Sequence, residues 1–195
     1  MAKPSVLSLL SLIAVISVSA AAAASASSTS NFIKTSCSTT TYPPLCLKSL
    51  SDYATTIQQD PYKLVQTALS FSLNKTVETR AFVSKLRSVS GLKPRDLTAL
   101  RDCTEEMADS VDRLGRSLKE LKLCKPKSED FTRHMSNVET WVSSALTDES
   151  ACRYGFAGKA LNGRIKASIR ARMVNVAHVT SNALFLINKY ASGNY

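Results

Sequence analysis

The sequence predicts an all-α protein, an up-down-up-down four-helix bundle preceded by an N-terminal helical hairpin. Three observations carry this expectation. Two-residue apolar alternation, the mark of a half-buried strand, is nearly absent, and only six glycines and six prolines are available to build turns. Apolar residues instead recur at steps of three and four along four long segments, each of which would present one apolar stripe. Ahead of these, Cys37 and Cys46 are separated by eight residues containing Pro43-Pro44, a span that a short helical hairpin can close.

Residues 1–26 read as a signal peptide. Lys3 supplies a positive start, and Val6 to Val18 is an apolar run too short and too interrupted by serine to span a bilayer. Ala20 to Ala26 offers small residues for cleavage, after Ala24 or Ala26. Residues 27–195 then form one domain of roughly 170 residues, long enough for a single sizeable core. No later stretch approaches the apolar length of a membrane helix. Within the domain, residues 31–52 are expected to form the hairpin and residues 60–190 the bundle.

The first bundle helix opens at Asp60-Pro61, an N-cap followed by proline at the first helical position, and should run to about Ser90, ahead of Gly91. Its apolar positions, Leu64, Ala68, Phe71, Phe82 and Leu86, are interrupted in the middle. The second helix, from about Pro94 to Leu123, has the clearest stripe: Leu97, Leu100, Met107, Val111, Leu114, Leu118 and Leu121. Ser128, Glu129 and Asp130 mark the start of a third helix, whose Phe131, Met135, Val138, Val142 and Ala145 step by four and three and which should end near Thr147. A connection dotted with Gly155, Gly158 and Gly163 leads to a fourth helix carrying Ile165, Ile169, Met173, Val176, Ala183 and Ile187. Four amphipathic helices joined by short links cannot bury their stripes separately, so an antiparallel bundle is the economical arrangement.

The formal charge is +10, near +9 without Lys3, and it is unevenly spread. Ala151 to Tyr195 contains no Asp or Glu, while Arg153, Lys159, Arg164, Lys166, Arg170, Arg172 and Lys189 are basic. Such asymmetry favours a polyanionic neighbour or is simply a solvated basic face. Secretion and the lack of interleaved aromatics argue against nucleic acid. In an oxidising compartment the five cysteines, Cys37, Cys46, Cys103, Cys124 and Cys152, should form two bridges and leave one thiol. Cys37 with Cys46 is the easiest pair, and the remaining choice stays open on spacing alone. Asn74-Lys75-Thr76 is a glycosylation sequon that would place Asn74 in solvent.

A catalytic constellation is not found. His134 and His178 fall on different helices, outside any nucleophile elbow, zinc motif or phosphate loop, and no metal or cofactor is expected. A pairing of Cys124 with His134 is conceivable in a bundle, but a buried small hydrophobe is the commoner fate of such a cysteine. Glu105, Asp109 and Asp112 are spaced to line one face of the second helix, with Arg101 and Arg113 one turn beyond to neutralise them in part. Three acids so placed could transfer protons, dock a partner or simply be solvated. Proton transfer needs a closed pocket, and the residues alone favour a solvated flank.

Met135-Ser136-Asn137-Val138-Glu139-Thr140-Trp141-Val142-Ser143-Ser144-Ala145-Leu146-Thr147-Asp148-Glu149, followed by Cys152 and Gly155-Phe156, resembles the plant pectin methylesterase inhibitor family. Cys37 and Cys46 flanking Thr41-Tyr42-Pro43-Pro44-Leu45, the run from Cys103 through Glu105, Asp109 and Asp112, and Val179 to Lys189 are similar to the family as well. The resemblance implies bridges Cys37–Cys46 and Cys103–Cys152 and leaves Cys124 free. It implies a one-to-one complex that covers the pectin-binding cleft of the esterase. Helices two and three would face that cleft, with Glu105, Asp109, Asp112, Trp141, Ala151 and Tyr154 as partner-binding positions. Where members often carry a threonine and an acid around the last bridging cysteine, this chain has Ala151 and Tyr154, with Arg153 between. The common tyrosine of the helix-two run is Met107.

The implied protein is a secreted, wall-located inhibitor rather than an enzyme. Inhibition of invertase is the alternative within the same family, but its Pro-Lys-Phe motif is represented here only by Pro126-Lys127-Ser128. A basic wall protein that binds pectate or membranes directly through its C-terminal helix is the alternative of a different class.

Overall fold

A computed structural model describes residues 28–158, 161 and 163–193, and the signal-peptide expectation for residues 1–26 lies outside them. All regular structure among the described residues is helical: α1 (28–38), α2 (Pro43–Leu50), a 3₁₀ turn (Ser51–Tyr53), α3 (Ala54–Ile57), α4 (Pro61–Leu86), α5 (Pro94–Leu121), α6 (Phe131–Gly155) and α7 (Gly163–Ala191). The four long helices pack in a ring, α4 on α5, α5 on α6, α6 on α7 and α7 back on α4, which is the up-down-up-down order. None of the described helices is long and apolar enough to cross a membrane.

Local chemistry sets the helix starts. Asp60 Oδ1 accepts from the backbone N–H of Tyr62 at 2.8 Å and of Lys63 at 3.3 Å, and Pro61 fills the first helical position where no N–H is needed. Gly91, at φ +81°, makes the turn that separates α4 from α5. The start expected at Ser128 falls three residues later, because the Ser128 hydroxyl donates back to the Lys125 carbonyl instead of capping the helix.

Two further boundaries and one stripe differ from the sequence expectation. Helix α6 continues to Gly155 rather than stopping near Thr147, because Glu149 and Cys152 hold core positions of the same 3–4 repeat that begins at Met135. Helix α4 ends at Leu86, short of Ser90, where the N–H groups of Arg87, Ser88 and Val89 bond three residues back in a tighter turn. In α5 the buried row is Leu100, Cys103, Met107, Ser110, Leu114, Ser117 and Leu121. Val111 and Leu118 flank this row half-buried, and Leu97 is 41% exposed.

Buried polar residues from all four long helices meet at one level of the bundle. Glu149, fully buried on α6, accepts at Oε1 from Thr76 of α4 (3.3 Å), Ser110 of α5 (3.1 Å) and Thr180 of α7 (2.9 Å). Ser72 and Thr180 share a further hydrogen bond of 2.7 Å. This layer separates two apolar clusters. One is built on Leu64, Leu69, Leu114, Val138, Val142 and Leu186, and the other on Val83, Leu100, Met107, Phe156, Ile169 and Met173.

The hairpin docks on α7 through its turn. Asn182 accepts the Tyr42 backbone N–H and donates to the Tyr42 carbonyl, both at 2.9 Å, while the Tyr42 ring stacks on His178 at 3.5 Å. The Cys37–Cys46 bridge joins α1 to the start of α2 just beyond this contact. Asn182→Ala is expected to lower stability by about 1–2 kcal/mol, since the Tyr42 N–H loses its partner while the Tyr42 carbonyl keeps only the Cys46 N–H at 3.0 Å; an unchanged urea midpoint would show that the hairpin is held by its apolar contacts alone.

Candidate functional site

The sequence-predicted residues converge on the layer formed by α5 and α6. The Cys103–Cys152 bridge, with a Cα separation of 4.3 Å, pins the two helices near one end of the bundle. Below it Arg113 of α5 pairs with Asp148 of α6 at 2.8 Å. Further along, Glu120 of α5 accepts from His134 at 2.8 Å and from Asn137 at 2.7 Å, both on α6. The pair of helices is thus tied at three levels, covalently at one.

On that support Glu105, Asp109 and Asp112 project from the outer surface of α5, all exposed. Arg116 pairs with Asp112 at 2.8 Å and Arg101 approaches Glu105 at 3.9 Å. Both are exposed pairs and leave the face largely acidic. Arg113, expected to neutralise Asp109 along the helix, turns instead across to Asp148. Burial pushes the Asp148 carboxyl above the usual range, Arg113 opposes this, and the nearby Glu106 and Asp109 carboxylates add to it.

Trp141 is half-buried on α6, on the flank that also carries Asp148 and Asn137. Ala151 and Tyr154 are exposed, Tyr154 at 66% with the Arg153 guanidinium 4.7 Å over its ring. Thirteen residues of helix separate Trp141 from Tyr154, so the two point roughly 140° apart around the axis. The structure therefore groups Trp141 with the acidic face of α5, and sets Tyr154 on the outward side toward α7.

Other candidates fall elsewhere. Asn74 is exposed in the middle of α4. Cys124 is buried, its thiol donates to the Glu120 carbonyl at 3.6 Å, and burial with the nearby Glu120 pushes its pKa up to about 11. Such a thiol is not ionised near neutrality, and His134 is occupied by Glu120, so the two do not form a nucleophilic pair. Sequence reasoning missed the inter-helix ties of Arg113, Glu120 and Glu149, whose partners lie 14 or more residues away in the chain.

A helical layer with an exposed charged face and a half-buried tryptophan combines an apolar anchor with a polar rim, a mix that protein–protein interfaces share. The chain belongs to the plant invertase/pectin methylesterase inhibitor family, whose model matches residues 31–186. It is 54% identical over 164 residues to a carrot (Daucus carota) protein described as "21 kDa protein", covering 84% of this chain and 85% of that one. It is 47% identical to pectinesterase inhibitor 11 of Arabidopsis thaliana, over 83% of this chain and 81% of the relative. Two crystal structures, a pectin methylesterase inhibitor from Arabidopsis thaliana and a mutant form of one from Arabidopsis, share the fold. Their TM-scores are 0.56 and 0.62 at 19% identity, covering 80% and 78% of this chain and 93% and 92% of those chains.

Proposed function

We propose that this protein inhibits pectin methylesterase in the plant cell wall by forming a one-to-one complex in which the α5–α6 face closes the pectin-binding cleft. The observation that carries this reading is 47% identity, over more than four fifths of the chain, to relatives named as pectinesterase inhibitors, combined with a helical layer tied at three levels behind an exposed acidic face. The inhibitor excludes substrate by bulk and does no chemistry of its own. Exposed carboxylates set orientation and encounter rate, and the half-buried Trp141 supplies apolar contact. Delivery by a cleaved N-terminal signal peptide, and glycosylation at Asn74, belong to the same reading. Direct contact of the basic residues of α7 with pectate is a second interaction, separate from esterase turnover.

Titrating the purified protein into pectin methylesterase and invertase assays at pH 5 and pH 7 tests the proposal. Esterase activity should fall to a floor at one molar equivalent while invertase stays active. Invertase inhibition with an untouched esterase would reverse the assignment. Charge reversal at all three positions (Glu105→Lys, Asp109→Lys, Asp112→Lys) should slow association by about tenfold or more, because such groups steer encounter. An unchanged association rate would remove α5 from the interface.

A further inference from the structure

The excess positive charge is confined to two segments of the chain. Residues 84–102 and 153–172 contain eleven Lys and Arg against Asp96 and Asp102 alone. Over the rest of the chain from residue 27 onward, Lys and Arg equal Asp and Glu at thirteen each. The fold brings the two basic segments together, since α4 ends and α5 begins where α6 ends and α7 begins.

Asp96 fastens the segments to one another. Its Oδ2 accepts the Lys93 N–H at 3.0 Å and its Oδ1 accepts the Leu161 N–H at 2.7 Å, so one nearly buried carboxylate holds both inter-helix connections. Its negative charge is spent inside. Outside, Arg87, Lys93, Arg95, Arg164, Arg170 and Arg172 are exposed. Between the end of α4 and the start of α5 lies an open cleft of about 460 Å³, lined by Arg87, Arg101, Ser84, Ser88, Thr98 and Leu97. Arg101 is shared with Asp102 at 3.3 Å, an exposed pair that a carboxylate ligand can displace at little cost.

We infer that this basic end is a docking surface for a polyuronate, a linear polysaccharide with one carboxylate on each sugar. The inference rests on the pectate reading above and relocates it from α7 alone to a cap built from both connections. Guanidinium groups suit carboxylates as planar forks, and three hydroxyl side chains beside them suit sugar hydroxyls. The exposed apolar group in the cleft is the aliphatic Leu97, which can cover a sugar ring but cannot stack on bases. Among the described residues of the cap the exposed large apolar side chains are Val89, Leu97 and Tyr154, short of the continuous apolar face that membrane insertion requires. Esterase contact through Glu105, Asp109 and Asp112 draws on charges of the opposite sign, and Arg101, which also approaches Glu105 at 3.9 Å, borders both surfaces.

The test is retention on immobilised polygalacturonate, with elution by salt. The unaltered protein should be held at low salt and released as screening shortens to about 3 Å near 1 M. The variant Arg87→Glu/Arg164→Glu/Arg170→Glu should bind at least about tenfold more weakly, as expected for three lost charge contacts. Lys34→Glu/Lys48→Glu/Lys122→Glu, which makes the same change in net charge elsewhere, should keep most of its affinity, and fully methyl-esterified polymer should not bind. Esterase inhibition by the first variant should be unchanged. If the unaltered protein passes straight through, the pectate reading itself fails. If it is retained but both triple variants weaken equally, or if DNA or anionic vesicles bind as tightly through the same arginines, the assignment of this cap to a polyuronate is overturned.

Discussion

Replacing Glu149 with glutamine is expected to flatten the pH dependence of folding stability between about pH 4.5 and 7. Burial raises the Glu149 pKa from 4.5 to about 7, against the lowering effect of its hydrogen bonds from Thr180, Ser110 and Thr76. The folded protein therefore binds this proton more tightly than the unfolded chain does. Stability is full below the unfolded value, declines as pH climbs through the window, and levels off above the folded value. The loss is roughly 3 kcal/mol, since every tenfold difference in proton affinity between the two states is worth about 1.4 kcal/mol. In the ionised state Oε2 has no hydrogen-bond partner among the described residues, which is the structural origin of the penalty.

Asp96 and Glu120 act in the opposite sense. Backbone N–H groups of Leu161 and Lys93 hold the first below the usual carboxylate range, and Asn137 and His134 do the same for the second. Their contribution is present above the ordinary carboxylate range and disappears as they protonate at lower pH. Stability should thus peak in mildly acidic solution. Urea midpoints measured from pH 4 to 8 for the parent and Glu149→Gln decide the matter: parallel curves would clear Glu149. Glu149→Ala should be worse at every pH, by roughly 2–4 kcal/mol, because it leaves a cavity and strips three hydroxyls of their acceptor.

Removing the Cys103–Cys152 bridge is expected to have the largest effect on both stability and inhibition. It closes a loop across 49 residues of separation, and the chain-entropy model gives about 4 kcal/mol for a loop of that size. The double serine variant should unfold at much lower urea, and α5 should splay from α6 at the bridged end while the Glu120 clamp persists. Inhibition should weaken by more than the unfolded fraction accounts for, because the proposed face spans both helices. If the folded variant inhibits at the parent's affinity, the bridge serves stability alone.

Much of this architecture is legible in the order of residues alone. The capped start at Asp60-Pro61, the extent of α7 and the stripe of α6 follow from local chemistry and period. What stayed hidden has one physical source. Ser72, Thr76 and Thr79 on α4, Ser110 and Ser117 on α5 and Thr180 on α7 occupy core rows where apolar residues mark a helix. Their presence broke the pattern of α4 and made Val111 and Leu118 look central. Asp148-Glu149 read as a polar terminus, although both are buried. Ser72, Thr76, Ser110 and Thr180 make sense only beside partners from other helices, and such pairings are invisible along a single strand of sequence. The acidic row of α5 was legible because i, i+4 and i, i+3 spacing is local, whereas the turn of Arg113 toward Asp148 was not.

The hydroxyl-ringed carboxyl also constrains how the chain can assemble. Sliding any one long helix by a turn against its neighbours would move the acid among aliphatic side chains and set the ring hydroxyls against methyl groups, both costly in a dry interior. Leucine-rich stripes on their own tolerate such offsets. Here a single level of the structure discriminates among otherwise similar packings, so a misthreaded bundle is penalised before the second bridge can trap it.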